Sequence, residues 1–293
     1  MSAHSQHVAL LGLGIMGNGM GKRLRRAGHS LAVYNRTAEK AKAIVADGAR
    51  LTSSPRDAAT GAQFIISMVA DDDASRNVWL GANGALEGAA PGTILIESST
   101  VSTEWIRELN EAATSKNCVL LDAPVTGSRI QAENGELNFL VGGSEIALEK
   151  ARSVFAPMSR SVVHVGPTGS GALLKLINNF MCGVQAASAA EALVMIERAG
   201  LDRNTATGVL MGGAPGSPLV KTLFGRMMAK DYTPNFYLSL MEKDLAYAMA
   251  EGERNNVSLV TARAARGTFE RADAAGRGQQ DMSAIVELIR EER

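Results

Sequence analysis

The first apolar run of the chain, Val8-Ala9-Leu10-Leu11, leads straight into Gly12-Leu13-Gly14-Ile15-Met16-Gly17. A G-x-G-x-x-G spacing between a strand and a helix suits a dinucleotide pyrophosphate. Gly12 allows the tight turn, Gly14 lets the backbone approach the phosphates, and Gly17 lets the helix pack on the strand. The unpaired N–H groups and positive dipole end of that helix then face the anion, with Leu13, Ile15 and Met16 completing the loop. A second apolar strand, Ser30-Leu31-Ala32-Val33-Tyr34-Asn35, ends about twenty residues on, where the ribose of such a ligand sits. It closes in Asn35-Arg36-Thr37 rather than in a carboxylate. Nothing there repels a 2′-phosphate, Arg36 can pair with it through its planar fork, and Thr37 can donate a hydroxyl hydrogen bond, so NADP is favoured over NAD. Thr37 could also cap the helix that begins at Ala38, with Arg36 solvated beside it. Capping leaves the missing acid unexplained.

The second chemically suggestive run is Gly171-Ala172-Leu173-Leu174-Lys175-Leu176-Ile177-Asn178-Asn179. Helical spacing puts Lys175 and Asn179 on one face, one turn apart, with Asn178 adjacent. Taken alone, a lysine among leucines extends its stem and releases its ammonium to water. Hydride transfer to or from a nicotinamide, however, needs a positioned proton donor near the substrate oxygen. The histidines do not cluster to supply one: His4 and His7 precede the first strand, His29 follows Gly28 in a turn, and His164 ends a strand. Cys118 and Cys182 have neither disulfide nor metal-ligand spacing and read as small buried hydrophobes, so no metal is expected.

The elements that must position these residues follow from periodicity. Strand runs at Phe64–Val69, Thr93–Glu97 and Cys118–Asp122 alternate with helical patterns, which predicts a parallel sheet wound with helices. Further strands at Leu137–Val141 and Val162–Val165 flank a helix over Glu145–Phe155. Strand signals then cease. From Gly169 to Ala199 the pattern is helical without proline, a rod of roughly 45 Å that reads as a link between domains. The remainder predicts helices near 205–211, 218–229, 238–251, 259–274 and 283–291. The fold class is therefore α/β: a Rossmann-type doubly wound sheet over 1–165, then an all-α C-terminal domain over 166–293, joined by a long helix over about 169–199.

With 293 residues and 30 basic against 30 acidic side chains, the charge balance predicts no nucleic-acid partner. The longest apolar stretch, Leu173 to Ile196, carries Lys175, Asn178, Asn179, Gln185 and Glu191 and reads as a poor membrane span. No apolar signal core precedes Val8, and the expected location is the cytoplasm.

Four separated motifs give the chain a strong resemblance to the β-hydroxyacid dehydrogenase family. They are the loop from Gly12 to Gly17, the segment Asp122-Ala123-Pro124-Val125-Thr126-Gly127-Ser128, the G-x-x-x-K-x-x-x-N run from Gly171 to Asn179, and Lys243-Asp244. The resemblance covers essentially the whole chain. It implies reversible hydride transfer between NADP(H) and a small carboxylate-bearing aldehyde or hydroxy acid, in a cleft between the domains, with the helical domain forming a homodimer or homotetramer.

On that resemblance Lys175 is similar to the family's catalytic lysine and Asn179 to its substrate-orienting partner, with Asn178 a further candidate. Thr126-Gly127-Ser128 resembles the substrate loop, whose N–H groups and hydroxyl bind a carboxylate. Thr126 replaces the usual serine and Ser128 a second glycine. Arg129 resembles the glyoxylate and succinic semialdehyde reductase branch more than the 3-hydroxyisobutyrate branch, and could equally be a solvated loop arginine. Thr100 falls where the family places a hydroxyl near the nicotinamide, although Thr100 or Ser102 could instead cap the following helix. Met68 and Val69 are expected to line the adenine and ribose side. Lys243 resembles the lysine that closes over the cofactor, and Asp244 could be its partner on the helix surface. Two other functions stand beside this one. Imine reduction occurs on the same scaffold with the lysine replaced, and a non-catalytic NADPH-binding module would bind cofactor without turnover.

Overall fold

The computed structural model describes residues 5–292, so His4 lies outside the described residues. Among those residues nine strands form one sheet: β1 (His7–Leu11), β2 (Ser30–Tyr34), β3 (Arg50–Leu51), β4 (Phe64–Ser67), β5 (Ile94–Glu97), β6 (Val119–Asp122), β7 (Val125–Thr126), β8 (Leu137–Gly142) and β9 (Ser159–Gly166). The order is β3-β2-β1-β4-β5-β6-β8-β7, with β9 also paired to β8. His7, expected ahead of the first strand, is the first residue of β1.

The helices of this part are α1 (Ile15–Arg26), α2 (Lys42–Ala46), α3 (Pro55–Ala59), α4 (Asp72–Leu80), α5 (Ala85–Gly88), α6 (Thr103–Ser115), α7 (Arg129–Asn134) and α8 (Glu145–Phe155). Strands β1 to β6 pair in parallel, as the alternating pattern predicts. The sheet as a whole is mixed, because the strands after β6 add antiparallel pairs. Strand β8 runs antiparallel to β6 and β7 and parallel to β9. Its approach from β7 through short α7 falls below the dozen or so residues that a parallel crossover requires.

Successive side chains of each central strand enter different cores. Val8 and Leu10 of β1 join Phe64, Ile66, Ile94 and Ile96 on one face, packed with Met20 and Leu24 of α1. Ala9 and Leu11 join Ile65 and Leu95 on the other, packed with Trp79 of α4 and Trp105 of α6. Burial on both faces explains why these strands read as continuous apolar runs.

Helix α9 (Ser170–Arg198) follows β9. The chain divides into two compact units, Met1–Lys175 and Leu176–Arg293, and the division falls within this helix. The second unit is helical: α10 (Arg203–Gly212), α11 (Pro218–Ala229), α12 (Leu238–Arg254), α13 (Val260–Ala272) and α14 (Ile285–Glu291) follow α9. Its core gathers Ala186, Ala190 and Leu193 of α9 with Leu223, Phe224, Leu245, Phe269 and Ile285. By length and composition α9 is apolar enough to cross a membrane, and half of its most apolar window is buried inside the protein.

Candidate active site

The chain leaves β1 to build β2 and β3 on one side, then returns to build β4 on the other. Ligands of open α/β sheets bind in the crevice at the carboxyl ends of the strands where the order reverses, here β1 and β4. The three glycines sit at that crevice. Gly12 has φ +98°, and a Cβ there would stand 2.3 Å from Met68 O; one at Gly17 would stand 2.0 Å from Gly12 O. Both are therefore required by the protein's own packing. At Gly14, which precedes α1, a Cβ would meet no protein atom within 4 Å. The one glycine that packing leaves unexplained is the one a pyrophosphate needs bare, and this fits a dinucleotide at the α1 N-terminus.

Asn35 holds the loop in place. Its Oδ1 accepts from Leu13 N at 2.8 Å and its Nδ2 donates to Thr37 O at 2.8 Å, so the amide braces the glycine turn against the end of β2. Arg36 and Thr37 are exposed. Thr37 precedes a 3-10 turn at Ala38–Ala41 and makes no side-chain cap hydrogen bond, so the competing explanation of this threonine loses its contact.

Met68 and Val69 follow β4, half-buried, with Val69 N donating to Ser99 Oγ at 2.8 Å. Thr100 lies just beyond β5. The cap of α6 is Ser102, whose Oγ accepts from Trp105 N at 3.1 Å, so Thr100 is not the capping residue.

Thr126 ends β7, with its Oγ1 accepting from Asn138 Nδ2 at 3.3 Å. Gly127 is exposed, and Ser128 N and Oγ both donate to Gln131 Oε1, at 2.9 and 2.7 Å. The donors expected to meet a substrate carboxylate at Ser128 are thus held by Gln131. Arg129 opens α7 and is exposed.

Asp122, which carries no role in the sequence reading beyond its place in a motif, is fully buried at the end of β6. Its Oδ1 accepts from Gly169 N at 2.7 Å and its Oδ2 from Ala172 N at 2.8 Å. It caps α9 from 47 residues away and so fixes where the helix begins. Burial pushes its carboxyl up to about 6, against the opposing pull of those N–H groups. No local signal reveals this role, since both partners lie far along the chain.

Lys175 stands in the second turn of α9 and is only 7% exposed, so it is not a surface lysine with its ammonium in bulk water. Asn179, one turn later, is 3% exposed. Within the helical unit, Asn178 Nδ2 donates to Asn179 Oδ1 at 2.9 Å, and Asn179 Nδ2 donates to Asp244 Oδ2 at 2.6 Å. Lys243 Nζ pairs with Asp244 Oδ1 at 2.7 Å and stands 4.6 Å from the centre of the Tyr247 ring. Asp244, read from sequence as a surface partner, is 1% exposed and joins Lys243 to Asn179. Of the two cysteines, Cys118 is buried and Cys182 half-buried. Among the described residues no three His, Cys, Asp or Glu side chains gather as a metal site would require.

Comparison with known proteins identifies the family. Residues 7–166 match the NAD binding domain of 6-phosphogluconate dehydrogenase, and residues 169–289 match the NAD-binding domain of NADP-dependent 3-hydroxyisobutyrate dehydrogenase. The chain is 34% identical over 283 residues to glyoxylate/succinic semialdehyde reductase 1 of Arabidopsis thaliana, covering 97% of this chain and 98% of the relative. It is 34% identical over 284 residues to 3-sulfolactaldehyde reductase of Escherichia coli K12, covering 97% and 95%. The fold resembles Mycobacterium tuberculosis 3-hydroxyisobutyrate dehydrogenase, solved with L-serine, at TM-score 0.88 and 31% identity over 98% of this chain and 99% of that one. The chain belongs to the β-hydroxyacid dehydrogenase family, oxidoreductases that act on CH–OH groups with a nicotinamide cofactor.

Proposed function

We propose that this protein is an NADP(H)-dependent reductase of small carboxylate-bearing semialdehydes, able to run in reverse on the corresponding hydroxy acids. A nicotinamide cofactor supplies or accepts the hydride at the carbon bearing the substrate oxygen. The chain's own residues do the rest. Gly12, Gly14 and the N–H groups at the start of α1 hold the pyrophosphate, while Arg36 and Thr37 receive the 2′-phosphate. Met68 and Val69 line the nucleotide side, and Thr100 holds the nicotinamide end.

In reduction, the Lys175 ammonium polarises the carbonyl and delivers a proton from Nζ to the developing alkoxide oxygen, so hydride and proton together complete the alcohol. In oxidation, neutral Nζ takes the hydroxyl proton. Asn179 orients the substrate, supported by Asn178 and by the Asp244–Lys243 pair. Thr126, Gly127 and Ser128 bind the carboxylate once Gln131 releases Ser128, with Arg129 adding a cation at the rim. The burial of Lys175 one turn before Asn179 carries this reading.

The relatives named above act on glyoxylate, succinic semialdehyde and 3-sulfolactaldehyde, all small aldehydes with an anionic end, and that favours the semialdehyde over the imine reaction. A homo-oligomer in the cytoplasm completes the reading. Ile177, Met181 and Met195 are exposed and share a face of α9 turned away from the Lys175 and Asn179 positions, as a buried interface between copies would require. The test is NADPH oxidation by the purified protein over glyoxylate, succinic semialdehyde, 3-sulfolactaldehyde and methylmalonate semialdehyde. Turnover of at least one is expected, and cofactor binding with no turnover of any would leave only a nucleotide-binding module.

A further inference from the structure

Glu97, the last residue of β5, is a fully buried carboxyl that makes no ion pair among the described residues. Its Oε2 accepts from Ser75 Oγ at 2.5 Å and from Trp79 Nε1 at 2.7 Å, and its Oε1 accepts from Ser99 N at 2.8 Å. Ser75 Oγ itself accepts from Trp105 Nε1 at 2.7 Å, which leaves its own proton for Glu97. Ser99 Oγ accepts from Val69 N at 2.8 Å, so Ser99 reaches Glu97 through its backbone N–H and Val69 through its side chain. Every partner of Glu97 is therefore a donor, the arrangement a carboxylate demands and a neutral amide cannot satisfy.

Such a group is expensive to bury without a countercharge, and an apolar residue packed in its place costs a fold nothing. Its presence calls for another explanation, and its contacts supply one. Through Ser99 it ties the segment after β5, which ends in Thr100, to the segment after β4, which holds Met68 and Val69. Those segments reach the glycine turn directly. A Cβ at Gly12 would stand 2.3 Å from Met68 O and 2.9 Å from Val69 Cγ1. On the other side, Trp79 directly and Trp105 through Ser75 anchor the carboxyl to α4 and α6, the helices that follow β4 and β5.

We propose that Glu97 is a positioning residue for the nicotinamide cofactor: acting through Ser99, it sets Val69 and Thr100 against the Gly12–Gly14 turn. The inference rests on the cofactor site proposed above. It also makes the only two tryptophans of the chain reporters of the same network.

Two substitutions test it. Glu97→Gln keeps the shape but turns an NH2 group toward donors. It is expected to raise the KM for NADPH about tenfold, the size of one lost hydrogen bond to a charged group, while kcat at saturating cofactor stays within about twofold. Its tryptophan emission shifts relative to wild type. Ser99→Ala cuts only the link to Val69 and leaves both indole contacts intact. It is expected to raise the same KM with unchanged emission, and it keeps the test open if Glu97→Gln does not fold. Ser99→Ala with a wild-type KM for NADPH, or a loss confined to kcat, overturns the inference while wild-type protein still binds NADPH. Failure of the wild-type protein to bind NADPH removes the cofactor site itself and this role with it.

Discussion

Asn179 Nδ2 donates a 2.6 Å hydrogen bond to Asp244 Oδ2, across 65 residues of sequence, and the other oxygen of that buried carboxylate pairs with Lys243 Nζ at 2.7 Å. One N–H of the Asn179 amide is thereby committed to the protein, and its Oδ1 receives Asn178. The side chain is fixed in rotamer before any substrate arrives, which is what a substrate-orienting amide needs.

Removing the carboxylate is expected to be costly. Asp244→Ala removes the carboxylate that Lys243 and Asn179 share and should destabilise the protein by about 3 kcal/mol, as for other broken buried pairs. Asp244→Asn retains an oxygen for Asn179 and should lose less. Urea unfolding of the two variants measures both, and equal stability of wild type and Asp244→Ala would show the pair to be energetically idle.

The glycines separate packing from ligand binding. Gly14→Ala adds a methyl where no protein atom lies within 4 Å, at φ −70°, so stability should fall by under about 1 kcal/mol. The KM for NADPH should nonetheless rise about tenfold or more, because the methyl occupies the pyrophosphate approach. Gly12→Ala, at φ +98° and against Met68 O, should lose stability first. Cofactor titrations beside thermal unfolding distinguish the two patterns.

Cofactor preference rests on Arg36. Arg36→Ala should weaken NADPH binding by about tenfold or more, a charge-assisted pair lost, and leave NADH nearly unchanged. Equal weakening of both would remove the 2′-phosphate role.

Asp122 makes stability depend on pH with a definite sign. Its folded carboxyl titrates at about 6, above the unfolded value near 4. Protonation is thus favoured in the folded state. The contribution of this group is fully present below about pH 4 and is lost as pH rises through about 6, in total about 3 kcal/mol. Glu97, also raised by burial, contributes with the same sign. Urea unfolding across this window should give a flatter profile for Asp122→Asn than for wild type. Identical profiles would place the titration elsewhere.

Much of this architecture is legible in the chain because it is local. Continuous apolar runs mark the central strands, and the ends of α8 and α11 fall at the residues where the helical pattern stops, Glu145–Phe155 and Pro218–Ala229. The two-residue strands β3 and β7 are too short to carry a period. Lys175 and Asn179 are visible because one helix holds both. Asp122, Glu97 and Asp244 are not, since each owes its role to burial and to partners distant in sequence. Asn35 reads as a cofactor contact from its position, and its bracing of the glycine turn through Leu13 N and Thr37 O is visible only in the fold.

The turnover of Lys175→Met on the best semialdehyde, at saturating NADPH, bears on everything proposed for the reaction. Loss of the proton donor should lower kcat by about 10² to 10⁴ while NADPH binding, followed by its fluorescence, stays at the wild-type value. A variant that turns over within about twofold of wild type would contradict the assignment of the proton to Lys175 Nζ.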